Sequence, residues 1–186
     1  SMKPRRGPVC INLPRNILAE SNSYNINTKK PSFTNEIKQK GSKDNIKKAA
    51  KLIKASNCSV IIVGAGIKYN SKYKEVIKLA ELCNIPIVTA AGHGDAIPFG
   101  HKLNAGQMGP RGNPVASRLV KNANVILAIG TRLGFNSTFY SYENINKKAN
   151  IIQIELEKKM LGKYFPATVK IHADAATATK QLYDQI

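Results

Sequence analysis

Three short clusters and two acidic residues hold most of the chain's chemical potential, and each follows an apolar run. Gly64-Ala65-Gly66 follows "SVIIV", Ala90-Ala91-Gly92-His93-Gly94 follows "IPIVT", and Gly130-Thr131-Arg132-Leu133-Gly134 follows "NVILAI". Glu155 closes "NIIQIE", and Asp174 follows "VKIHA". Glycine lets a ligand approach the backbone closely. Backbone N–H groups at the start of a following helix favour phosphate. Arg132 can grip a phosphate through two parallel hydrogen bonds, and Glu155 is placed to accept from ribose hydroxyls. Each signal is weak by itself. Gly-x-Gly after a strand is often a tight turn, and a strand-end Arg is often an ion-pair partner. The full G-x-G-x-x-G fingerprint is absent, because Tyr69 stands where the third glycine would fall. The coincidence of five tips is what points to a nucleotide.

No catalytic constellation accompanies these clusters. The histidines are His93, His101 and His172, and the sequence contains no nucleophile elbow, P-loop, zinc spacing or kinase signature. His93, within "GHGD", can act as a base or touch a ligand, although a loop histidine more often bonds to backbone. No catalytic and no metal-ligating residue is assigned. Cys10, Cys58 and Cys83 are odd in number and far apart, so neither a disulfide framework nor a zinc site is signalled. Cys58 and Cys83 flank apolar runs and read as small core residues. A reducing cytoplasm suits such a set.

The elements that must position the tips alternate regularly. Residues 44–56 read as an amphipathic helix with Ile46, Ala49, Ala50, Leu52 and Ile53 inward, a lysine face outward and Asp44 as N-cap. Residues 58–66 are a buried strand, 71–83 a helix, 85–91 a strand, 92–112 a glycine-rich loop and 113–122 a helix. Strands follow at 124–130, 150–156 and 169–173, with a closing helix from 175 to 183. Continuous apolar strands alternating with helices predict an α/β fold: a doubly wound, mostly parallel sheet of five to six strands with helices on both faces. Ligands of such sheets bind beyond the carboxyl ends of the strands, where all five tips lie. Residues 1–43 read as an N-terminal extension and linker: Ser1-Met2 is set aside as an expression remnant, 7–14 are extended, and 22–41 are polar without period. The α/β domain is expected over 44–186.

With 186 residues and a hydrophobic fraction of 42%, the chain can enclose a core. Its formal net charge is +18, which raises a basic nucleic-acid-binding module as one reading. Against that, the lysines are dispersed (Lys29-Lys30, Lys47-Lys48, Lys147-Lys148, Lys158-Lys159), aromatics are few and tryptophan is absent. A further reading is that the rest of a longer chain is acidic. No apolar run reaches the 18 or so residues of a membrane span, and no signal peptide is seen.

Taken in order, "GPVCINLPRNI", "AAKLIKASNCSVIIVGAGI", "LAELCNIPIVTAAGHGDAIPFGHKLNAGQMG", "NANVILAIGTRLG", "NIIQIELEKKMLGKYFP" and "HADA" resemble the central domain of thiamine-diphosphate-dependent enzymes of the acetolactate synthase type. "GTRLG" and "KMLG" are also similar to sulfoacetaldehyde acetyltransferases. The resemblance implies a Rossmann-like, DHS-like NAD/FAD-binding sheet. It implies a non-catalytic middle domain, inactive alone, whose parent is a lyase or transferase acting on a 2-oxo acid or related substrate. Thiamine diphosphate and Mg²⁺ would be held by flanking pyrimidine- and diphosphate-binding domains, in a cytoplasmic homo-oligomer with no membrane and no specific nucleic-acid partner. In FAD-binding members the contacting segments correspond to Arg5, Gly64-Ala65-Gly66, Ala90-Ala91, Gly130-Thr131-Arg132, Glu155 and Asp174. Gly106-Gln107-Met108-Gly109 lacks the histidine of the flavin members' Gly-Met-His-Gly, and Leu133-Gly134-Phe135-Asn136 replaces their charged residues. FAD, ADP or no ligand all stay open. A free-standing sirtuin-like NAD-dependent deacylase is the remaining enzyme reading, motivated by "GAGI" and "GTRL". It lacks the four-cysteine zinc site and an Asn-Ile-Asp segment near a catalytic histidine.

Overall fold

A computed structural model describes residues 8–23, 38–68 and 72–186. Arg5, Tyr69 and most of the polar stretch 22–41 lie outside the described residues. The chain divides into two compact units, Ser1–Ile37 and Lys38–Ile186. Within the first, the described residues are exposed and include one short helix, α1 (Arg15–Leu18), opened by Pro14.

The second unit is built on six strands: β1 (Ser59–Val63), β2 (Ile87–Thr89), β3 (Asn104–Gln107), β4 (Val125–Ile129), β5 (Asn150–Glu155) and β6 (Val169–His172). They form one sheet in the order β3-β2-β1-β4-β5-β6, and every pair is parallel. The order reverses between β1 and β4, which makes their carboxyl ends the topological switch point. β1, β2 and β4 are buried along almost their whole length, as a sheet covered on both faces requires.

Alternation along each strand divides the core into two layers. Ile61, Val63, Ile87, Leu127, Ile129, Ile152 and Ile154 point to one face. There they meet α2 (Lys43–Lys54), α3 (Tyr73–Cys83) and α6 (Ala175–Gln185). Val60, Ile62, Val88, Ile126, Ala128 and Ile151 point to the other, against α4 (Pro114–Asn122), Ile145 and Phe165. A final helical turn, α5 (Phe135–Thr138), follows β4. Burying each of these aliphatic side chains contributes about 1.5–3 kcal/mol, so the hydrophobic pattern dominates the choice of fold.

Four local readings change. The expected loop 92–112 contains the edge strand β3, whose residues "NAGQ" are half-buried and carry no apolar run; pairing with β2 makes it a strand. Ser42, not Asp44, caps α2, its hydroxyl accepting from the Asn45 N–H at 3.3 Å, and Asp44 lies in the first turn. Cys58 is exposed rather than a core residue, because it precedes β1 at the sheet's open amino end, while Cys83 is half-buried. Residues 38–41, expected in the linker, are tied to the domain. The Gln39 carbonyl accepts from Asp174 N–H, and the Gly41 N–H donates to Gln181 Oε1 at 2.8 Å.

Candidate functional site

Because all strands run parallel, the tips of β2, β1, β4, β5 and β6 line one edge. At about 4.8 Å per strand they spread over about 19 Å. The switch point holds Gly64-Ala65-Gly66 and Gly130-Thr131-Arg132 side by side. Gly64 N–H donates to the Ile129 carbonyl at 3.1 Å and Gly66 N–H to the Gly130 carbonyl at 3.0 Å. A Cβ on Gly64 would lie 2.6 Å from the Gly130 carbonyl oxygen, and one on Gly66 would lie 2.6 Å from Gly130 Cα. Gly130 itself has φ +58°. These glycines are therefore required by the approach of one loop to the other, whatever else the edge binds.

Around this junction stand Arg132, the Lys68–Asp95 ion pair and His93. Arg132 is exposed. Lys68, after β1, pairs with Asp95 at 2.8 Å and holds that carboxyl below its ordinary range. His93, after β2, donates its backbone N–H to Ala90 at 3.0 Å, while its buried Nδ1 has no partner among the described residues. Burial lowers the His93 pKa, and the nearby Lys68 and Arg132 lower it further, against the opposing pull of Asp95. Ala90 is buried, and Ala91 N–H is taken by Ser137 Oγ of α5 at 2.9 Å.

The tips of β5 and β6 are engaged differently. One Glu155 carboxylate oxygen turns back to accept from Leu156 N–H at 2.9 Å and Glu157 N–H at 3.3 Å. Asp174 is 5% exposed and caps α6, accepting from Thr177 N–H at 3.1 Å and Thr177 Oγ1 at 3.0 Å, while its other oxygen pairs with Lys72. Glu155, the expected ribose acceptor, and Asp174, which the resemblance placed among the flavin contacts, thus have local work in this chain. Gly106-Gln107-Met108-Gly109 is likewise built into the domain: Gln107 Oε1 accepts from Gly92 N–H at 3.1 Å, and Met108 is buried.

Sequence reasoning passed over Gln153. It is 2% exposed in the middle of β5; its Nε2 donates to the Thr131 carbonyl at 3.2 Å and its Oε1 accepts from Gly162 N–H at 2.7 Å. The amide therefore holds the β4 tip, and with it Arg132, against the loop after β5. A polar residue inside "NIIQIE" was the available signal.

For an adenine nucleotide at this edge, the residues present fit the anionic part. Arg132 is exposed, the His93 Nδ1 is unpartnered, and Gly92 and Gly134 face open space where a Cβ would stand. Among the described residues no group of three or more His, Cys, Asp or Glu can hold a metal ion, and no helix is long and apolar enough to cross a membrane.

An all-parallel six-stranded sheet with helices on both faces and glycines packed at its switch point defines a doubly wound α/β domain. Residues 46–182 match the family model described as thiamine pyrophosphate enzyme, central domain, and the chain belongs to that family. It is 32% identical over 181 residues to a probable sulfoacetaldehyde acetyltransferase of Rhizobium meliloti (strain 1021), covering 96% of this chain and 30% of the relative. It is 34% identical over 190 residues to an acetolactate synthase large subunit of Buchnera aphidicola subsp. Schlechtendalia chinensis, covering 96% and 31%. A probable acetolactate synthase large subunit of Methanocaldococcus jannaschii is 32% identical over 96% of this chain and 30% of its own length. The chain thus spans about a third of the length of the curated relatives it matches.

Proposed function

We propose that this chain is the supporting middle domain of an acetolactate synthase-like lyase or transferase, one that joins or cleaves a carbon–carbon bond of a 2-oxo acid or related aldehyde. The observation that carries the reading is the match over residues 46–182 to the thiamine pyrophosphate central domain. The relatives named as acetyltransferase and acetolactate synthase favour acyl-group transfer within that class. Thiamine diphosphate, with Mg²⁺ on its phosphates, would supply the electron sink from the flanking domains of a cytoplasmic oligomer. This chain's own part is to position those domains and to offer its carboxyl edge to an adenine nucleotide, ADP or FAD. Arg132 would pair with phosphate there, His93 Nδ1 would face the ligand, and Gln153 would keep the Arg132 loop in place.

The purified 186-residue chain decides both halves of the proposal. Its absorbance spectrum, with mass spectrometry of any released ligand, distinguishes flavin from ADP. Calorimetric titration with ADP and FAD, repeated on Arg132→Ala, should show binding weakened about tenfold or more in the variant, the order of one lost charge-assisted contact of about 1.5–3 kcal/mol. The chain alone, given thiamine diphosphate, Mg²⁺ and pyruvate, should release no product. Turnover by the isolated chain would sink the supporting-domain reading; absence of any nucleotide affinity would sink the ligand half.

A further inference from the structure

Directly after Arg132 the backbone enters an unusual course. Leu133, Phe139 and Tyr140 all have positive φ, at 52°, 49° and 55°. Bulky side chains rarely adopt that region, and two aromatic residues doing so in succession need the surroundings to hold them. Thr138 does much of the holding. Its hydroxyl donates to the Leu133 and Gly134 carbonyls, both at 3.1 Å, and accepts from Tyr140 N–H at 3.1 Å.

Leu133 and Thr138 are buried in this arrangement, while its aromatic side chains are exposed. Phe135 is 52% exposed, Phe139 47% and Tyr140 47%. The rings meet one another, Phe135 against Phe139 at 5.0 Å and Tyr140 stacked on Tyr164 at 4.4 Å, so the patch is ordered among itself while open outward. Tyr142, 38% exposed, adjoins Phe165. Phe135, Phe139, Tyr140, Tyr142, Tyr164 and Phe165 are half of the chain's Phe and Tyr residues. Cations surround them: Lys163 over Tyr164 at 5.3 Å, Lys147 over Tyr142 at 5.9 Å, and Arg132 near enough to act on both Tyr140 and Tyr164. Between residues 132 and 149 the sequence offers one carboxylate, Glu143.

Contiguous exposed aromatics with a polar rim mark interaction surfaces. A second copy of this +18 chain would set cation against cation. The complementary occupant is an acidic one, and the chain spans about a third of its relatives' length. We infer that the Phe135–Tyr142 patch, with Tyr164, is the face on which a neighbouring domain of the parent polypeptide docks, through carboxylates set among apolar side chains. The inference rests on the reading of this chain as part of a longer enzyme.

Tyrosine nitration tests it. The 186-residue chain and the full polypeptide of its gene are treated with tetranitromethane at pH 8. Nitrated sites are mapped by mass spectrometry, and each rate is divided by its rate in the unfolded protein. Tyr140 and Tyr142 should react in the short chain and at least tenfold more slowly in the long one. Lys147→Glu with Lys163→Glu, in the long chain, should restore several-fold reactivity by turning the rim against its acidic partner. Equal reactivity of Tyr140 and Tyr142 in both forms overturns the inference while leaving the reading of the parent intact. Protection in the short chain that vanishes on dilution assigns the patch to a second copy and also overturns it. Protection unaffected by the two lysine changes removes the acidic partner. If the gene encodes nothing longer, the reading of the parent falls, and the inference with it.

Discussion

Gly66 and Gly130 are packed backbone against backbone across the switch point: Gly66 N–H reaches the Gly130 carbonyl at 3.0 Å, and a Cβ on Gly130 would lie 2.7 Å from Gly66 Cα. Neither residue can acquire a side chain without separating the β1 and β4 loops. Gly130→Ala adds the cost of a left-handed backbone to the collision and should lose about 2–4 kcal/mol. Gly66→Ala should lose about 1–3 kcal/mol. Gly134, with φ −74° and open space around its Cβ position, should tolerate alanine within about 0.5 kcal/mol. Urea denaturation of the three variants checks the order.

Asp174 closes α6 and pairs with Lys72 at the same time. Asp174→Asn keeps an N-cap acceptor and loses the ion pair, whereas Asp174→Ala loses both. The cap is worth about 1 kcal/mol, and removing one partner of a mostly buried pair costs more. The expected losses are about 1–2 kcal/mol for the asparagine variant and about 2–4 kcal/mol for alanine, read from thermal midpoints. Equal loss in both variants would mean that the ion pair alone matters.

Gln153→Leu leaves the Thr131 carbonyl and Gly162 N–H without their buried partner, an expected loss of about 1–3 kcal/mol. Since the same amide steadies the loop bearing Arg132, nucleotide affinity should fall in this variant beyond the change in stability. Calorimetry well below the melting temperature separates the two effects.

His93 gives the domain an acid-sensitive term. Its native pKa lies below 6.5, because burial and the neighbouring Lys68 and Arg132 disfavour the imidazolium. Between that lowered value and 6.5 the unfolded chain binds a proton that the native chain does not, so acid favours unfolding. This contribution is complete above about pH 6.5, declines as pH falls and levels off below the native pKa. In His93→Gln the slope of stability against pH over that window should flatten. An unchanged slope would remove His93 as its source.

The strands whose hydrophobicity is self-sufficient were readable in advance. "SVIIV", "VILAI" and "NIIQIE" form β1, β4 and β5 near their expected bounds, because a two-sided apolar run has few other places to go. β3 was not readable, since "NAGQ" owes its conformation to hydrogen bonds supplied by β2. The acidic tips were legible by position and not by partner: nothing local to Asp174 names Lys72, which approaches from another crossover. The aromatic patch was illegible for a similar reason. Tyr140 and Tyr164 are far apart in sequence, and only the β4 and β5 loops bring their rings together.

The central pairing of β1 with β4 also bears on how the chain is made. Ser59 pairs with Val125 and Val63 with Ile129, so β1 is complete on a ribosome long before its inner neighbour emerges. During synthesis it can acquire β2 on one side, while its other flank remains a row of unpaired amides on a strongly apolar segment. Contacts so distant along the chain form slowly, and a nascent chain halted in that interval presents a template for other strands. The lysine-rich outer face of α2, translated just ahead of β1, surrounds that template with like charge and so discourages two nascent chains from joining.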